Sequence, residues 1–464
     1  MVTTPHLDLA TSGTSAGIGI GNAPAPAVGP AMWQIEPGGP LQGDVTVAGS
    51  KNAVTKHMVA AILGDTPSRI RNCPSVGDVR IATDILLALG VGVEIEGDTI
   101  TVHPTVELNP RVPMEFTGRN RIPILLLGPL LHRAGEVFVP MVGGDQIGAR
   151  PVDFHLDALR SMGAELEVTG DGIVGSAKRL HGAVVTLPYP SVGATESVLL
   201  SAVLAEGKTV INNAAVEPEV IELALFLQRM GARIGLHPDR RIVVEGVSSL
   251  GGANTRLQGD RLEAFSYLVA GLATGGNVKV RGCGQDRLVT AIDTLRRMGA
   301  TVDIHDEWVA ATADTLRPIA IQTDSHPGFM TDWQPPLLVL MTQAAGMSVL
   351  HETVYEDRLG YASLLRQMGA EIELFDSCLG GPACRFHDTS AVHSAVVRGI
   401  SKLVGAEVTI PDVRAGFSAV IAAARADGAT ILRGVENLER GYHKPVETLQ
   451  ELGLDVTRSE IVAV

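Results

Sequence analysis

The chain has 464 residues, of which 45% are hydrophobic and 19% charged, which is enough apolar material for two or three buried cores and excludes a wholly disordered protein. Its net charge of −14 excludes a general electrostatic surface for nucleic acid, so an anionic ligand needs locally concentrated Arg and Lys. No apolar run reaches the roughly 18 residues of a membrane span, so no membrane contact is expected. Four cysteines predict a reducing compartment without a disulfide framework.

The first segment, residues 1–32, is rich in Gly, Ala, Ser, Thr and Pro, and is predicted to be a disordered tail. The first basic residue is Lys51, so the positively charged region of a secretory signal is absent and the expected location is the cytoplasm.

A helix end that runs into a strand recurs along the rest of the chain, about every 70 residues. Each copy has leucines on one helix face, then a glycine at the position of a left-handed C-cap, then alternating apolar residues. The glycines are Gly90, Gly163, Gly231, Gly299, Gly369 and Gly453. The pattern predicts six α/β units, but it leaves open whether they form one ring or two groups of three.

Two strand-to-helix junctions in the first half carry charged residues suited to anionic ligands. Lys51 and Asn52 open an apolar helix, although such a lysine is more often simply solvated. Residues 143–153 combine three glycines with Asp145 and Arg150, a composition typical of a mobile lid and equally of a surface connection. The turn at 190–196 suits a phosphate, but a helix capped by Ser191 explains it as well.

The second half places basic and acidic residues near the predicted starts of several helices. Singly, Arg358, Arg414 and Arg440 read as surface ion pairs; together with Thr331 and Asp332 they predict junctions that converge on one cleft.

Cys378 and Cys384, with His387 nearby, raise the question of a metal site. Their spacing matches no known zinc motif and a fourth ligand is missing, so the sequence predicts no metal.

Eight stretches of the chain resemble motifs of the enolpyruvyl transferase family, in the family order. They are GSKNA (49–53), GPLLHRAG (128–135), GGDQIGARPVD (143–153), SVGATE (191–196), HPGFMTDWQ (326–334), ETVYEDRLG (352–360), PDVRAGFS (411–418) and ERGY (439–442). The details are most similar to those of actinobacterial members. The resemblance implies two inside-out α/β barrel domains of three βαβαββ units each. One would comprise 33–50 plus 259–464, and the other 51–258 with a lid loop at 141–150.

The resemblance also implies a reaction, in which the enolpyruvyl group of phosphoenolpyruvate joins the 3-hydroxyl of UDP-N-acetylglucosamine and phosphate leaves. This is the first committed step toward peptidoglycan. No metal or organic cofactor is implied, the partners would be these two small molecules, and the expected state is a monomer.

Site residues follow from the same motifs. Asp145 would act as the acid toward the methylene carbon, Asp332 would face the sugar hydroxyl, and Lys51, Arg150 and Arg440 would clamp phosphate and carboxylate, with Arg358 and Arg414 beside them. The remaining implied substrate contacts are Asn52, Arg121, Pro151, Val152, Asp153, Phe154, Tyr189, Pro190, Ser191, Val192, Gly193, Thr331 and Val354.

Two departures from the family pattern affect these expectations. Asp145 stands where most members carry a cysteine that the epoxide fosfomycin alkylates, so resistance to that compound is expected. Gly77 stands where the family has a basic residue. The second change keeps UMP or another nucleotide open as the acceptor; a catalytically silent paralogue is a weaker alternative, because Lys51, Asp332 and the arginines are all present.

Overall fold

The computed structural model describes residues 31–145, 147–148, 150–380, 384–387 and 389–460. The predicted tail lies outside these residues except for Ala31 and Met32, which begin the first strand instead. The strands are β1 (Ala31–Ile35), β2 (Gln42–Thr46), β3 (Ser68–Arg71), β4 (Gly92–Glu96), β5 (Thr99–His103), β6 (Glu136–Pro140), β7 (Glu165–Val168), β8 (Gly172–Ser176), β9 (Val184–Thr186), β10 (Lys208–Asn212), β11 (Arg233–His237), β12 (Arg241–Glu245), β13 (Asn254–Arg256), β14 (Asn277–Arg281), β15 (Thr301–Ile304), β16 (Trp308–Thr312), β17 (Ala320–Gln322), β18 (Gly346–His351), β19 (Glu371–Phe375), β20 (Ser394–Gly399), β21 (Glu407–Thr409), β22 (Thr430–Arg433) and β23 (Val456–Glu460).

Helices alternate with these strands along the chain. They are α1 (Lys51–Ala61), α2 (Gly77–Ala88), α3 (Leu127–Ala134), α4 (Asp153–Ser161), α5 (Val192–Ala202), α6 (Pro218–Arg229), α7 (Arg261–Ala273), α8 (Val289–Arg297), α9 (Gln334–Thr342), α10 (Ala362–Gln367), α11 (Val413–Arg425), α12 (Glu436–Glu439) and α13 (Pro445–Glu451). Within the described ranges, no helix has the length and apolar character needed to cross a membrane.

The described strands form six small sheets with one common arrangement. Five have four strands, in the orders β21-β22-β1-β23, β11-β12-β10-β9, β13-β3-β5-β4, β15-β16-β14-β2 and β17-β18-β20-β19. In each, a parallel edge pair is followed by two antiparallel pairs. The sixth, β6-β8-β7, has a single parallel bridge between Arg111 and Phe138 in place of the edge strand.

Two separate hydrophobic cores lie beneath these sheets. One gathers residues from 31–47 and 262–456, and the other gathers residues from 53–257. In the first core α7, α9 and α11 pack against one another, and every residue of α7 and α9 is buried. These helices carry almost no polar face, because they have no solvent side.

The chain passes between the two cores twice, and the two passages run side by side. Gly49 and Gly259 form an antiparallel bridge at this point. A Cβ on Gly49 would lie 2.2 Å from the carbonyl oxygen of Asn72, and one on Gly259 would lie 2.1 Å from that of Gly282. Only glycine therefore fits either passage.

The six helix-ending glycines predicted from the sequence have left-handed backbone conformations. Their φ angles run from 87° at Gly90 to 110° at Gly231. A hairpin turns at Gly97 and Asp98, where β4 and β5 pair with Glu96 opposite Thr99.

Candidate active site

A cleft of about 530 Å³ lies between the two cores and is lined by residues of both. Among the described residues, eight Lys and Arg and eight Asp and Glu line it, so cations are concentrated here in a chain that is acidic overall. The cleft brings together most of the residues predicted from the sequence: Lys51, Asn52, Arg121, Asp145, Arg150, Pro151, Phe154, Tyr189, Pro190, Ser191, Val192, Gly193, Thr331, Asp332, Val354, Arg414 and Arg440.

Three predicted substrate contacts lie outside the lining of the cleft. Val152 precedes α4 and packs against the second core. Asp153 is exposed in the first turn of the same helix. Arg358 is buried one layer behind the cleft wall, where it acts on its neighbours rather than on a ligand directly.

Asp78 joins the two cations predicted to clamp phosphate. Lys51 at the start of α1 donates through Nζ to Asp78 Oδ2 at 2.6 Å. Arg440, from the other core, donates through Nε and Nη2 to Oδ1, both at 3.2 Å. Burial alone would raise the pKa of Asp78, but the charges and hydrogen bonds of Lys51 and Arg440 outweigh it and lower that pKa to about 2. The carboxylate is therefore ionised and holds both cations at one end of the cleft.

The predicted lid segment lies between this end of the cleft and the arginines Arg121 and Arg150. Asp145 Oδ1 lies 3.7 Å from Arg440 Nη1. Arg150 has a left-handed backbone with φ of 44° and donates through Nη1 to the carbonyl oxygen of Asp145 at 3.1 Å. A Cβ on Gly148 would lie 2.6 Å from Glu356 Oε2, so the lid touches the opposite wall. Gln146 and Ala149 lie outside the described residues.

Arg358 ties the predicted catalytic carboxylate to its surroundings. Asp332 lies in a short turn, Thr331–Trp333, just before α9. Arg358 donates through Nη2 to Asp332 Oδ1 at 3.4 Å, and its Nη1 lies 3.4 Å from Asp412 Oδ1. Burial alone would lower the pKa of Arg358, but Asp412 and Asp332 raise it, so the guanidinium stays charged. It fixes the orientation of Asp332 at the edge of the cleft.

Arg414 presents an unsatisfied cation to the cleft. It opens α11 behind the cap Asp412, whose Oδ1 accepts from the Arg414 backbone N–H at 2.9 Å. Its side-chain Nη1 and Nη2 are buried and have no hydrogen-bond partner among the described residues. Burial alone would lower the pKa of Arg414, but Tyr442, Asp260 and Asp332 raise it. The guanidinium lies 5.2 Å from the ring centre of Tyr442, but its terminal nitrogens have no carboxylate partner, so this position favours a bound anion.

The other end of the cleft carries two adjacent arginines. Arg121 donates through Nη1 to the carbonyl oxygen of Arg150 at 2.9 Å. Burial and the charge of Arg150 lower the pKa of Arg121 to about 10. Two guanidiniums held close together are stabilised by a polyanion, and a diphosphate matches that need. Opposite them, Arg385 lies 4.6 Å from the ring centre of Tyr189.

The sequence did not single out several charged residues of the cleft. Glu219 accepts two hydrogen bonds from Arg261, from Nε to Oε1 and from Nη2 to Oε2, both 2.9 Å. Glu196 is buried on α5, and burial raises its pKa to about 7. Asp78 follows Gly77 at the start of α2. Asp78 and Glu219 stand in the first turns of helices, the one local signal that marks them, as it marks many residues without a ligand. Glu196 lacks that signal, because it lies beyond the first turn of α5.

A family model described as EPSP synthase (3-phosphoshikimate 1-carboxyvinyltransferase) matches residues 35–449. A UDP-N-acetylglucosamine 1-carboxyvinyltransferase from Protochlamydia amoebophila is 42% identical over 441 residues, covering 92% of this chain and 94% of that protein. An enzyme of the same name from Chlamydia pneumoniae is 42% identical over 428 residues, covering 90% and 93%.

Solved structures agree with this match. The enolpyruvyl transferase NikO from Streptomyces tendae superposes with a TM-score of 0.82 at 26% identity, over 94% of this chain and 100% of that one. EPSP synthase from Acinetobacter baumannii superposes with a TM-score of 0.71 at 21% identity, over 93% and 100%, which shows the fold alone.

Proposed function

The chain belongs to the EPSP synthase family of enolpyruvyl transferases, as its motifs predicted, and we propose that it acts on UDP-N-acetylglucosamine. It transfers the enolpyruvyl group of phosphoenolpyruvate to the 3-hydroxyl of the sugar and releases phosphate. The relatives at about 40% identity that carry the UDP-N-acetylglucosamine 1-carboxyvinyltransferase name support this acceptor. The product is the first committed precursor of peptidoglycan.

One observation carries the proposal: cations from both cores meet at one end of the cleft, and one of them is unsatisfied. Lys51 comes from the second core, Arg414 and Arg440 from the first. Phosphoenolpyruvate carries a phosphate and a carboxylate, and three cations at one place fit two anionic groups. The two terminal nitrogens of Arg414, which lack a partner in the described chain, supply a ready bidentate contact.

The proposed chemistry has two steps, and two carboxylates serve them. In the first, the sugar hydroxyl oxygen bonds to C2 of phosphoenolpyruvate, Asp332 accepts the hydroxyl proton, and Asp145 donates a proton to the methylene carbon. In the second, the Asp145 carboxylate takes a proton back from the methyl group formed at that carbon, the double bond returns, and the C2–O bond to phosphate breaks, while Asp332 gives its proton to the departing phosphate. The cations stabilise the charge on the phosphate as it leaves. No cofactor is required for this sequence.

The nucleotide half of the substrate is assigned to the opposite end of the cleft. Arg121 and Arg150 would hold the diphosphate, and the turn at 189–193, with Phe154 and Pro151, would enclose the sugar and base. Ser191 caps α5 by accepting from the Ala194 N–H at 3.4 Å, so the turn has a fixed shape. The capping role expected of Ser191 is confirmed, and the phosphate contact remains a proposal.

We also infer the finer architecture from the two cores. Apart from Ala31, each core lies wholly within one of the two predicted domains, the first in 33–50 plus 259–464 and the second in 51–258. This supports the predicted domains. Buried helices surrounded by three sheets in each core support two inside-out α/β barrels. A monomer in the cytoplasm remains the expected state.

The acceptor is tested by measuring phosphate release from phosphoenolpyruvate with each candidate acceptor in turn. UDP-N-acetylglucosamine should support turnover far better than UMP or shikimate 3-phosphate, and product mass should show one added enolpyruvyl group. A preference for UMP would overturn the acceptor while leaving the chemistry intact. No release with any acceptor, under conditions in which UDP-N-acetylglucosamine binds, would identify a silent paralogue.

A further inference from the structure

Four side chains of metal-ligating types meet on the β18–β20 sheet, next to the loop that carries Arg385. His351 ends β18, His393 immediately precedes β20, and Cys378 and Cys384 lie on the connection between β19 and β20. One ligand atom from each residue lies within 4.8 Å of the other three. Among the described residues, no carboxylate joins the group, so the donor set is two thiols and two imidazoles. His387, which the sequence placed beside the cysteines, is not a member.

His393 is held with one ring nitrogen turned toward the cysteines. Its Nδ1 lies 2.6 Å from the carbonyl oxygen of Ala391, which can only accept, so Nδ1 carries the proton. Its Nε2 is therefore an unprotonated acceptor and lies 3.2 Å from Cys378 Sγ. A backbone carbonyl behind an imidazole is the usual arrangement that orients a metal-binding histidine.

His351 is fixed in the same tautomer by a different contact. Its Nδ1 lies 2.8 Å from Ser394 Oγ, and that hydroxyl donates its own proton to the carbonyl oxygen of Ser377 at 2.8 Å. Ser394 Oγ must then accept from His351 Nδ1–H, which leaves Nε2 with a bare lone pair. That Nε2 is buried and has no hydrogen-bond partner among the described residues. A polar atom in this state needs a ligand to offset its lost hydration.

The surroundings of the two sulfur atoms are also compatible with metal binding. Cys384 is buried, and its Sγ accepts from the backbone N–H of Phe386 at 3.4 Å, which fixes the position of the sulfur. Neither cysteine is in a disulfide. Gly380 passes directly over the cluster, because a Cβ there would lie 2.2 Å from Cδ2 of His351. The backbone thus closes the group on one side.

We propose that His351, Cys378, Cys384 and His393 bind one structural zinc ion. Two sulfurs and two nitrogens are a donor set that zinc takes tetrahedrally. Bond lengths of about 2.3 Å to sulfur and 2.0–2.1 Å to nitrogen place tetrahedral ligands roughly 3.3–3.8 Å apart. A separation of at most 4.8 Å is reduced to that by side-chain movements of about 1 Å. The two thiol protons pass to solvent on binding, so affinity falls with falling pH.

This site would fix one wall of the catalytic cleft. Arg385 directly follows Cys384, donates to the carbonyl oxygen of Val354 at 3.3 Å and lies over the ring of Tyr189 from the other core. All three residues line the cleft. A zinc ion anchoring Cys384 holds Arg385 in place without touching substrate, so its loss should weaken substrate binding more than turnover.

The first test is the metal content of the untagged full-length protein, purified without added metal. Mass spectrometry of the elements should find about one zinc per chain. Cys378→Ser and His393→Gln should each lower the zinc content at least tenfold, whereas Cys283→Ala should leave it unchanged. Cys283 is a matched control, since it is a buried thiol of the same core outside the cluster.

The second test replaces zinc with Co²⁺ and keeps the proposal falsifiable where a variant does not fold. The cobalt form of the unaltered chain should show the intense visible bands of tetrahedral coordination and thiolate charge transfer, and one equivalent of zinc should erase them. In Cys384→Ser the KM for the nucleotide substrate should rise several-fold with kcat within about twofold. A metal-free preparation that takes up no Co²⁺ or zinc, or a disulfide joining Cys378 to Cys384, overturns the site.

Discussion

The two ends of the cleft hold their cations in opposite ways. At the reacting end, Lys51 and Arg440 bind the carboxylate of Asp78, so an incoming anion must share or replace an existing ion pair. At the end assigned to the nucleotide, Arg121 donates to a backbone carbonyl, and Arg150 donates to the carbonyl oxygen of Asp145 and lies over the ring of Tyr355. Neither contact is an ion pair with a carboxylate. The carboxylate of Asp78 orients Lys51 and Arg440 but weakens their attraction for an incoming anion. Arg121 and Arg150 have no such carboxylate, so they attract a flexible polyanion more strongly.

The two ends should therefore serve different purposes: one positions cations for the reaction, and the other provides affinity for the nucleotide substrate. Changes at the reacting end should lower kcat, because the cations there act on charge that develops during the reaction. Changes at the nucleotide end should raise KM, because the contacts there are alike in the ground and transition states.

The largest effect is expected at Asp145. Asp145→Asn cannot donate a carboxylic proton, so kcat should fall by about 100-fold or more. Asp145→Cys should remain active, because a thiol with an ordinary pKa near 8.5 holds its proton at neutral pH, and its pH optimum should lie above that of the unaltered enzyme. The measurement is phosphate release across pH 5 to 9.

Fosfomycin gives an independent check of the same residue. A carboxylate is a weaker nucleophile toward an epoxide than a thiolate, so the unaltered enzyme should resist inactivation and Asp145→Cys should lose activity with time. Asp324→Asn, an exposed carboxylate elsewhere in the cleft, serves as the control with near-normal activity. Full activity in Asp145→Asn, or rapid inactivation of the unaltered enzyme at micromolar fosfomycin, would remove Asp145 from the mechanism.

The next effect concerns the cations that Asp78 holds. Removing one charge-assisted contact to a desolvated phosphate costs about 2–4 kcal/mol, so Lys51→Ala and Arg440→Ala should lose roughly 30-fold or more in kcat/KM. Most of the loss should appear in kcat. Lys208→Ala, an exposed lysine on β10, is the control. Near-normal kinetics in both cleft variants would exclude the clamp.

A smaller effect is expected at the nucleotide end. Arg121→Ala should raise the KM for UDP-N-acetylglucosamine about tenfold, with kcat within about twofold, since the lost contacts are present before the reaction begins. Arg119→Ala, an exposed neighbour outside the cleft, should change neither value. A fall in kcat with unchanged KM in Arg121→Ala would reverse the distinction between the two ends.

The smallest effect on activity, and a clear one on stability, concerns the buried carboxylate of Glu196. Its folded pKa, about 7, lies above the usual value of 4.5, so its contribution to stability is complete below pH 4.5 and is lost as pH rises through 7. The loss amounts to roughly 3 kcal/mol. Asp78 has the opposite sign, because its folded pKa of about 2 makes stability fall only under strong acid.

Chemical denaturation of the unaltered chain and of Glu196→Gln from pH 5 to pH 8 measures the contribution of Glu196 to the free energy of unfolding. The difference in unfolding free energy between them should shift in favour of the variant as pH rises. Glu206→Gln removes an exposed carboxylate and should show no such trend. Parallel pH profiles for Glu196→Gln and the unaltered chain would contradict the assignment.

Local features of the fold were predictable because they depend on short stretches of chain. A glycine after a leucine-rich helix predicts a left-handed residue at Gly90 and Gly453 alike, and both have it. The first core was not predictable in this way, since it joins β1 to β22 and β23 across almost the whole sequence, and periodicity carries no information on that pairing.

The same contrast holds in the site, between residues recognised from a short motif and residues brought together from distant parts of the chain. Lys51 and Arg440 were identified from their motifs, but their common partner Asp78 was not, because its role arises from a contact across 362 residues. The cysteines were noticed and a metal was not predicted, since the fourth ligand, His351, comes from the end of β18 and not from the β19–β20 connection that carries Cys378, Cys384 and His393. Rules based on the spacing of cysteines and histidines find metal sites whose ligands all lie in one loop, and the four ligands of this cluster do not.

The paired passages at Gly49 and Gly259 have a consequence for how the protein is made. The second core is one unbroken stretch of chain and can fold as soon as it leaves the ribosome. Strand β1 has to wait, because its partners β22 and β23 are synthesised long after it. The nascent chain therefore carries β1 unpaired until those strands emerge, and the first core closes only when they arrive. The catalytic cleft, which needs both cores, is completed in that final step.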